Sequence, residues 1–228
     1  MQRSSFYLLN ARVSFTTASG FAIVPFVKRY DQYCPMAHAL DLVGERWALL
    51  VVRELIHGPK RYTDLAEHLP GIGTNILAAR LKSLEEFGVI TKRTLPPPAA
   101  SKVYELTEYG LGLKTVLREL ALWGARSLGP PSPDEDLYPG WLANALELWA
   151  SRAPHGSIEF RIGEETASIA DGEVRSGSVE DPDTLVTGQP SDFFHLLIEG
   201  RLDGVVVDGD RDLLERLVSD ESLVALDG

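Results

Sequence analysis

The chain has 228 residues, 44% of them hydrophobic, one cysteine and a net charge of −11. That length suits one large domain or two small ones, the single cysteine excludes an internal disulfide and fits a reducing cytoplasm, and no run approaches the roughly 20 apolar residues of a membrane span. The charge is unevenly spread: residues 27–128 carry 14 Lys and Arg against 11 Asp and Glu, whereas residues 129–228 carry 6 against 22. Only the first of these halves suits a polyanion, so two domains with different work are expected.

Residues 1–26 contain two arginines, no acids and no clear period. They read as a disordered N-terminal extension, or as sequence upstream of the natural start. Arg12 interrupts the first apolar run, which argues against a signal peptide. A helix is predicted from Pro35, which suits a first helical position, with Ala37, Leu40 and Val43 on one stripe. Gly44 breaks it. Trp47, Leu50, Val51 and Leu55 form the next stripe, which Gly58-Pro59 ends.

The stretch from Tyr62 to Lys102 organises the rest. Thr63 is predicted to cap a short helix that stops at Pro70, Gly71 and Gly73 bracket a turn, and Thr74 is predicted to cap a second helix. Leu77, Leu81, Leu84 and Phe87 recur at helical spacing, and Gly88 stops the run. Two short helices around a Gly-containing turn predict a helix-turn-helix. Val89 to Thr94 and Val103 to Thr107 then read as a hairpin with a proline-rich tip, that is, a wing. Such a unit offers its second helix to a DNA major groove and its wing to the backbone. The bland alternative is a helical subdomain with a hairpin.

Thr107 is predicted to cap one long helix to Leu128, with Leu113, Val116, Leu117, Leu120 and Trp123 on a stripe. That stripe can close the domain core or form a homodimer surface. Residues 129–137, proline-rich and acidic, read as a linker. Residues 138–228 give a helix (Tyr138 to Ala150), strands at 157–162, 166–170, 173–176 and 183–187, an Asp171-Gly172 hairpin turn, a helix 193–199 capped by Ser191, a strand 205–207, and a last helix capped by Asp210. The predicted fold class is α+β: a winged helix-turn-helix domain with flanking dimerisation helices over 27–128, then a small acidic α+β domain over 138–228.

Cys34-Pro35-x-Ala37, Leu42-Val43-Gly44-Glu45-Arg46-Trp47, Arg53-Glu54-Leu55 and Gly58-Pro59 continue into Arg61-Tyr62-x-Asp64-Leu65 and Ile72. Leu77-x-x-Arg80-Leu81-Lys82-x-Leu84-Glu85-x-x-Gly88, Val103-Tyr104, Leu106-Thr107 and Trp123 follow. Together these resemble the HxlR-type regulators, a bacterial winged-helix family related to the MarR group. The resemblance covers Cys34 to Leu128 and implies a homodimeric, DNA-binding transcriptional regulator. The acidic half carries Ile158-x-Phe160-x-Ile162, Asp171-Gly172-Glu173, Pro182-Asp183-Thr184 and Val205-x-Val207-x-Gly209-Asp210. These spacings are similar to a shortened sterol carrier protein-like domain. That fold implies an apolar cavity for a small apolar effector; the alternative is a filled core that supports the dimer.

Thr74, Asn75 and Ala78 lie near the start of the second helix or off its apolar stripe, and are the base-reading candidates. An Asn amide can pair bidentately with adenine, and Thr or Ala methyls can touch a thymine methyl. Thr63, Arg80, Lys82, Arg93 and Lys102 are phosphate candidates, which position without specifying. Arg80 could instead pair with Glu85 or Glu86. Cys34, before a Pro-initiated helix, is a candidate redox sensor, a role some members of the resembled family have; a helix N-terminus favours the thiolate.

No P-loop, GxSxG, dinucleotide fingerprint or HExxH is present, so the chain reads as no enzyme, with no cofactor and no metal. The expected partners are double-stranded DNA, a second copy and a small apolar effector, with no membrane. The competing reading is a lipid or small-molecule binding protein whose winged helix mediates protein contacts.

Overall fold

The computed structural model describes residues 29–132, 135, 137–150 and 153–219. The expectation of a disordered extension over 1–26 lies outside them, as do Pro133, Asp134 and Asp136 of the linker.

The order of elements follows the punctuation of the sequence. Helix α1 (Pro35–Val43) begins at Pro35 and stops at Gly44. Helix α2 (Ala48–Ile56) follows Trp47, which sits at φ 77. A bulky residue in the left-handed region costs about 1–3 kcal/mol, so surrounding contacts must hold this turn. Helix α3 (Tyr62–His68) and helix α4 (Thr74–Glu86) come next. Strands β1 (Ile90–Thr94) and β2 (Lys102–Leu106) pair antiparallel, Ile90 opposite Leu106. Lys60 exchanges both backbone hydrogen bonds with Tyr104, so the chain two residues before α3 extends the hairpin.

Leu65, Leu69, Leu77, Leu81, Leu84 and Ile90 are almost wholly buried together with Val51, Val52 and Leu55 of α2. The predicted stripe of α4 is thus the centre of the first core, with Phe87 packed at its edge. Gly88, at φ 70, releases the chain from α4 into the hairpin.

Three predicted caps are corrected. Thr63 lies inside α3, whose N-cap is Arg61, and its hydroxyl contacts Asp64. The exposed N–H of Arg61 donates to the Asp64 carboxylate at 2.9 Å instead. Thr74 is the first residue of α4, behind the N-cap Gly73. Ser191 lies inside helix α8 (Pro190–Glu199), which starts at Pro190 after the N-cap Gln189. In each case the N-cap lies one or two residues before the hydroxyl that was expected to supply it. Thr107 does cap: its hydroxyl accepts from the Gly110 N–H at 3.0 Å. The helix beyond it is divided at Gly112 into α5 (Glu108–Leu111) and α6 (Leu113–Ala125).

The second core lies between helices and one mixed sheet. Helix α7 (Trp141–Ala150) precedes β3 (Ser157–Ile162), β4 (Glu165–Ala170), β5 (Glu173–Ser176) and β6 (Thr184–Gly188). After α8 come β7 (Val206–Gly209) and α9 (Arg211–Val218). The strand order is β5-β4-β3-β6-β7, with β3 and β6 parallel and the other pairs antiparallel. Asp171 and Gly172, both at positive φ, make the β4–β5 turn that the dipeptide predicts. Asp210 caps α9 by accepting from the Leu213 N–H at 3.1 Å.

Ile158, Phe160 and Ile162 face the core as their alternation requires. Trp149, Phe160 and Phe193 fill its middle, ring centroids 5.8–6.1 Å apart, with Trp141 edge-on to Phe193 at 5.7 Å. The two cores meet where α7 lies against α2 and α6.

Candidate nucleic-acid interface

The first turns of α3 and α4 are joined directly. The Tyr62 hydroxyl donates to the Thr74 carbonyl at 2.8 Å. With Leu65 and Leu77 buried between them, the two helices form one unit whose outward side is the start of α4. There Thr74, Asn75, Ala78 and Ala79 are exposed, and Ile76 is 45% exposed. Gly73 occupies the N-cap without a side-chain cap bond, so Asn75 is not serving as the cap of this helix. The amide of Asn75 and the methyls of Thr74 and Ala78 therefore share one accessible helix end.

The cations divide by what already holds them. Arg80 Nη2 lies 3.1 Å from Glu45 Oε2 and the side chain is 20% exposed, so it ties α4 to the turn before α2. Its ion-pair partner is therefore Glu45 rather than Glu85 or Glu86; that partner is 35 residues away in sequence and carries no local signal. Arg93 is paired across the hairpin with Glu105 at 2.6 Å. Lys82 pairs with Glu86 at 3.7 Å, with both side chains largely exposed. Such pairs contribute little, so Lys82 is readily released to a phosphate. Lys102 and Thr63 are exposed.

Two further exposed cations belong beside them and were missed by sequence reasoning. Arg61 stands at the N-cap of α3. Lys92 rises from β1 with its ammonium 5.1 Å from the Tyr104 ring centroid. Its position opposite Tyr104 in the hairpin register was the available signal.

A second surface is apolar. Helix α6 buries none of its residues fully, and Val116, Leu120 and Trp123 are 52%, 45% and 69% exposed. Met36 and Leu40 of α1 are exposed as well. A half-open apolar cavity of about 250 Å³ lies between α1 and α5–α6, lined by Ala39, Leu42, Val43, Val89, Tyr109 and Leu113. Cys34, the residue before α1, is a free exposed thiol. Among the described residues no group of three or more His, Cys, Asp and Glu side chains is arranged to hold a metal ion, and no helix is long and apolar enough to cross a membrane.

Comparison with known proteins falls on this part of the chain. The HxlR-like helix-turn-helix family matches residues 42–131. The HTH-type transcriptional regulator YodB of Bacillus subtilis (strain 168) is 37% identical over 98 residues, which are 42% of this chain and 88% of YodB. The uncharacterized HTH-type transcriptional regulator YvaP of the same organism is 31% identical over 101 residues, covering 44% of this chain and 94% of YvaP. The solved structure of reduced YodB is 34% identical, covers 44% of this chain and 100% of its own, and superposes with a TM-score of 0.38.

Proposed function

The chain belongs to the HxlR-like helix-turn-helix family of transcriptional regulators, and from that premise we propose that it acts as a homodimer with α4 in the DNA major groove. Asn75 reads a base, with Thr74 and Ala78 in apolar contact beside it. Thr63, Lys82 and Lys102, together with Arg61 and Lys92, meet phosphates, and Arg93 joins them when its Glu105 partner yields. The observation that carries this reading is the uncapped, exposed start of α4, held against α3 by Tyr62. It is tested by asking whether the protein enriches specific duplexes from a random-sequence pool.

The homodimer is supported by the open face of α6. Val116, Leu120 and Trp123 lie on one side of the helix at helical spacing, and Met36 and Leu40 of α1 are exposed as well. A second copy docked there covers that face and the adjoining cavity. It also sets two α4 helices to read two half-sites, which raises affinity and site length together.

The acidic region from 138 onward is, in this proposal, a sterol carrier protein-like domain in a supporting role. Its helix, three antiparallel strands, crossover strand, helix and strand favour that resemblance. Its aromatic centre, closed by Trp141, Trp149, Phe160 and Phe193, favours the filled core over a cavity for a small apolar effector. Control by modification of Cys34 is the other regulatory element proposed, favoured by its exposure at the N-cap of α1. Operator affinity unchanged by diamide would remove it.

A further inference from the structure

Glu54 is the one glutamate of α2, and it points inward at 1% exposure. A buried carboxylate persists only where donors surround it. Arg53 contacts Oε1 at 2.9 Å, His68 Nδ1 contacts Oε2 at 3.0 Å, and Lys60 Nζ lies 3.9 Å away. The remaining partner comes from the second domain: Asn144 Nδ2, on α7, lies 3.4 Å from Oε1.

These contacts orient the Asn144 amide. The Glu54 carboxylate only accepts, so Asn144 turns its NH2 toward it; His68 Nδ1, 3.0 Å from Glu54 Oε2 and 3.4 Å from the Lys60 ammonium, donates to the carboxylate when that nitrogen carries the proton and accepts from Lys60 when it does not. The Asn144 carbonyl then faces His57 Nε2 at 3.0 Å, which must donate. The same Asn144 NH2 also reaches the Gly140 carbonyl at 3.1 Å. One side chain of α7 thus engages Glu54 and His57 of the first domain at once. His68, held by Glu54 from the other side, belongs to the last turn of α3. From there the chain runs through the turn directly into α4.

The charged and titratable groups around this junction come from every element packed on it. Arg53 stacks over the Tyr138 ring at 4.2 Å. His57 Nδ1 lies 3.9 Å from Glu147, and Lys114 of α6 pairs with Glu147 at 2.9 Å. Glu165 accepts from the Gly140 N–H at 2.6 Å. Burial raises the Tyr138 phenol above its ordinary range, against the opposing pull of the Arg53 cation.

We infer that Asn144 is a positioning residue for DNA binding: through Glu54 and His68 it lets the second domain set the pose of α3 and hence of α4. The inference rests on the DNA-binding reading above. It predicts that a change confined to α7, away from the exposed end of α4, alters DNA affinity.

The test uses the full chain and a duplex that the wild-type protein selects from a random pool. Asn144→Asp sets a second carboxylate against Glu54. It weakens binding about tenfold, through repulsion between the two carboxylates. Glu54→Gln combined with Asn144→Asp exchanges amide and carboxylate across the contact and restores binding to within about threefold of wild type. A merely structural role lowers the unfolding temperature without rescue of binding by the exchange. Asn144→Ala, which removes both bonds and adds no charge, is read if Asn144→Asp fails to fold, with a loss of about threefold expected. Wild-type binding with folded variants of unchanged affinity overturns the inference alone. Absence of any wild-type binding overturns the DNA-binding reading, and the inference with it.

Discussion

The Tyr62 hydroxyl donates a 2.8 Å hydrogen bond to the Thr74 carbonyl, so the first residue of α3 holds the first residue of α4. The bond fixes the end of α4 that presents Asn75. Tyr62→Phe removes it and keeps the ring. A neutral hydrogen bond of this kind contributes about 1 kcal/mol. We expect a small fall in unfolding temperature and a loss of about threefold to tenfold in DNA affinity. Binding isotherms equal to wild type would show that the packed leucines position α4 unaided.

Asn75→Ala removes a bidentate donor and acceptor from an exposed position, so it leaves stability nearly unchanged. Loss of one such base contact costs about 1–3 kcal/mol of discrimination. Affinity for selected duplexes should therefore fall about tenfold or more while affinity for random duplexes stays put. Equal losses on both would assign Asn75 to the backbone instead.

Trp123→Glu places a charge on the open face of α6, where the wild-type ring is 69% exposed within one chain. Sedimentation should report a dimer for wild type and a monomer for the variant, with DNA affinity lowered because half-sites are no longer read together. An unchanged dimer mass would move the interface elsewhere.

Asp183 accepts from the Ser157 N–H at 2.8 Å and the Ser157 hydroxyl at 2.9 Å, and these bonds hold its carboxyl below the ordinary carboxylate range. The folded state then releases the proton more readily than the unfolded chain does. The resulting stability is present above the ordinary carboxylate range and is lost as pH falls through the lower folded value. Thermal unfolding of wild type should fall more steeply on acidification than that of Asp183→Asn. Parallel curves would show that the Ser157 contact does not couple to folding.

Local features were legible in the sequence because their causes are local. The Leu77, Leu81, Leu84 stripe, the Asp171-Gly172 turn and the caps Thr107 and Asp210 each depend on a few adjacent residues, and each stands where the pattern put it. The misplaced caps have a local cause too. Pro190 fixes the start of α8 one residue before Ser191, and Gly73, still extended, takes the N-cap of α4 one residue before Thr74.

What the sequence did not disclose is long-range polar pairing. Glu45 with Arg80 and Glu54 with Asn144 are separated by 35 and 90 residues, and nothing in their spacing announces contact. For that reason the pairing expected of Arg80 fell on the adjacent Glu85 or Glu86, and Asn144 was not singled out. The start of α4 was readable as a candidate site because exposure there follows directly from the buried stripe on its other side.

The central claim, sequence-specific DNA binding through α4 and the wing, is tested most directly by salt titration of the 228-residue chain on a selected duplex against random DNA. With about five cations per protomer on phosphates, about ten in the dimer, affinity should fall roughly a hundred-thousandfold between about 50 and about 200 mM salt. The selected duplex should stay at least about a hundredfold tighter than random DNA across that range. No retention of any duplex at low salt, or equal affinity for both, would contradict the account.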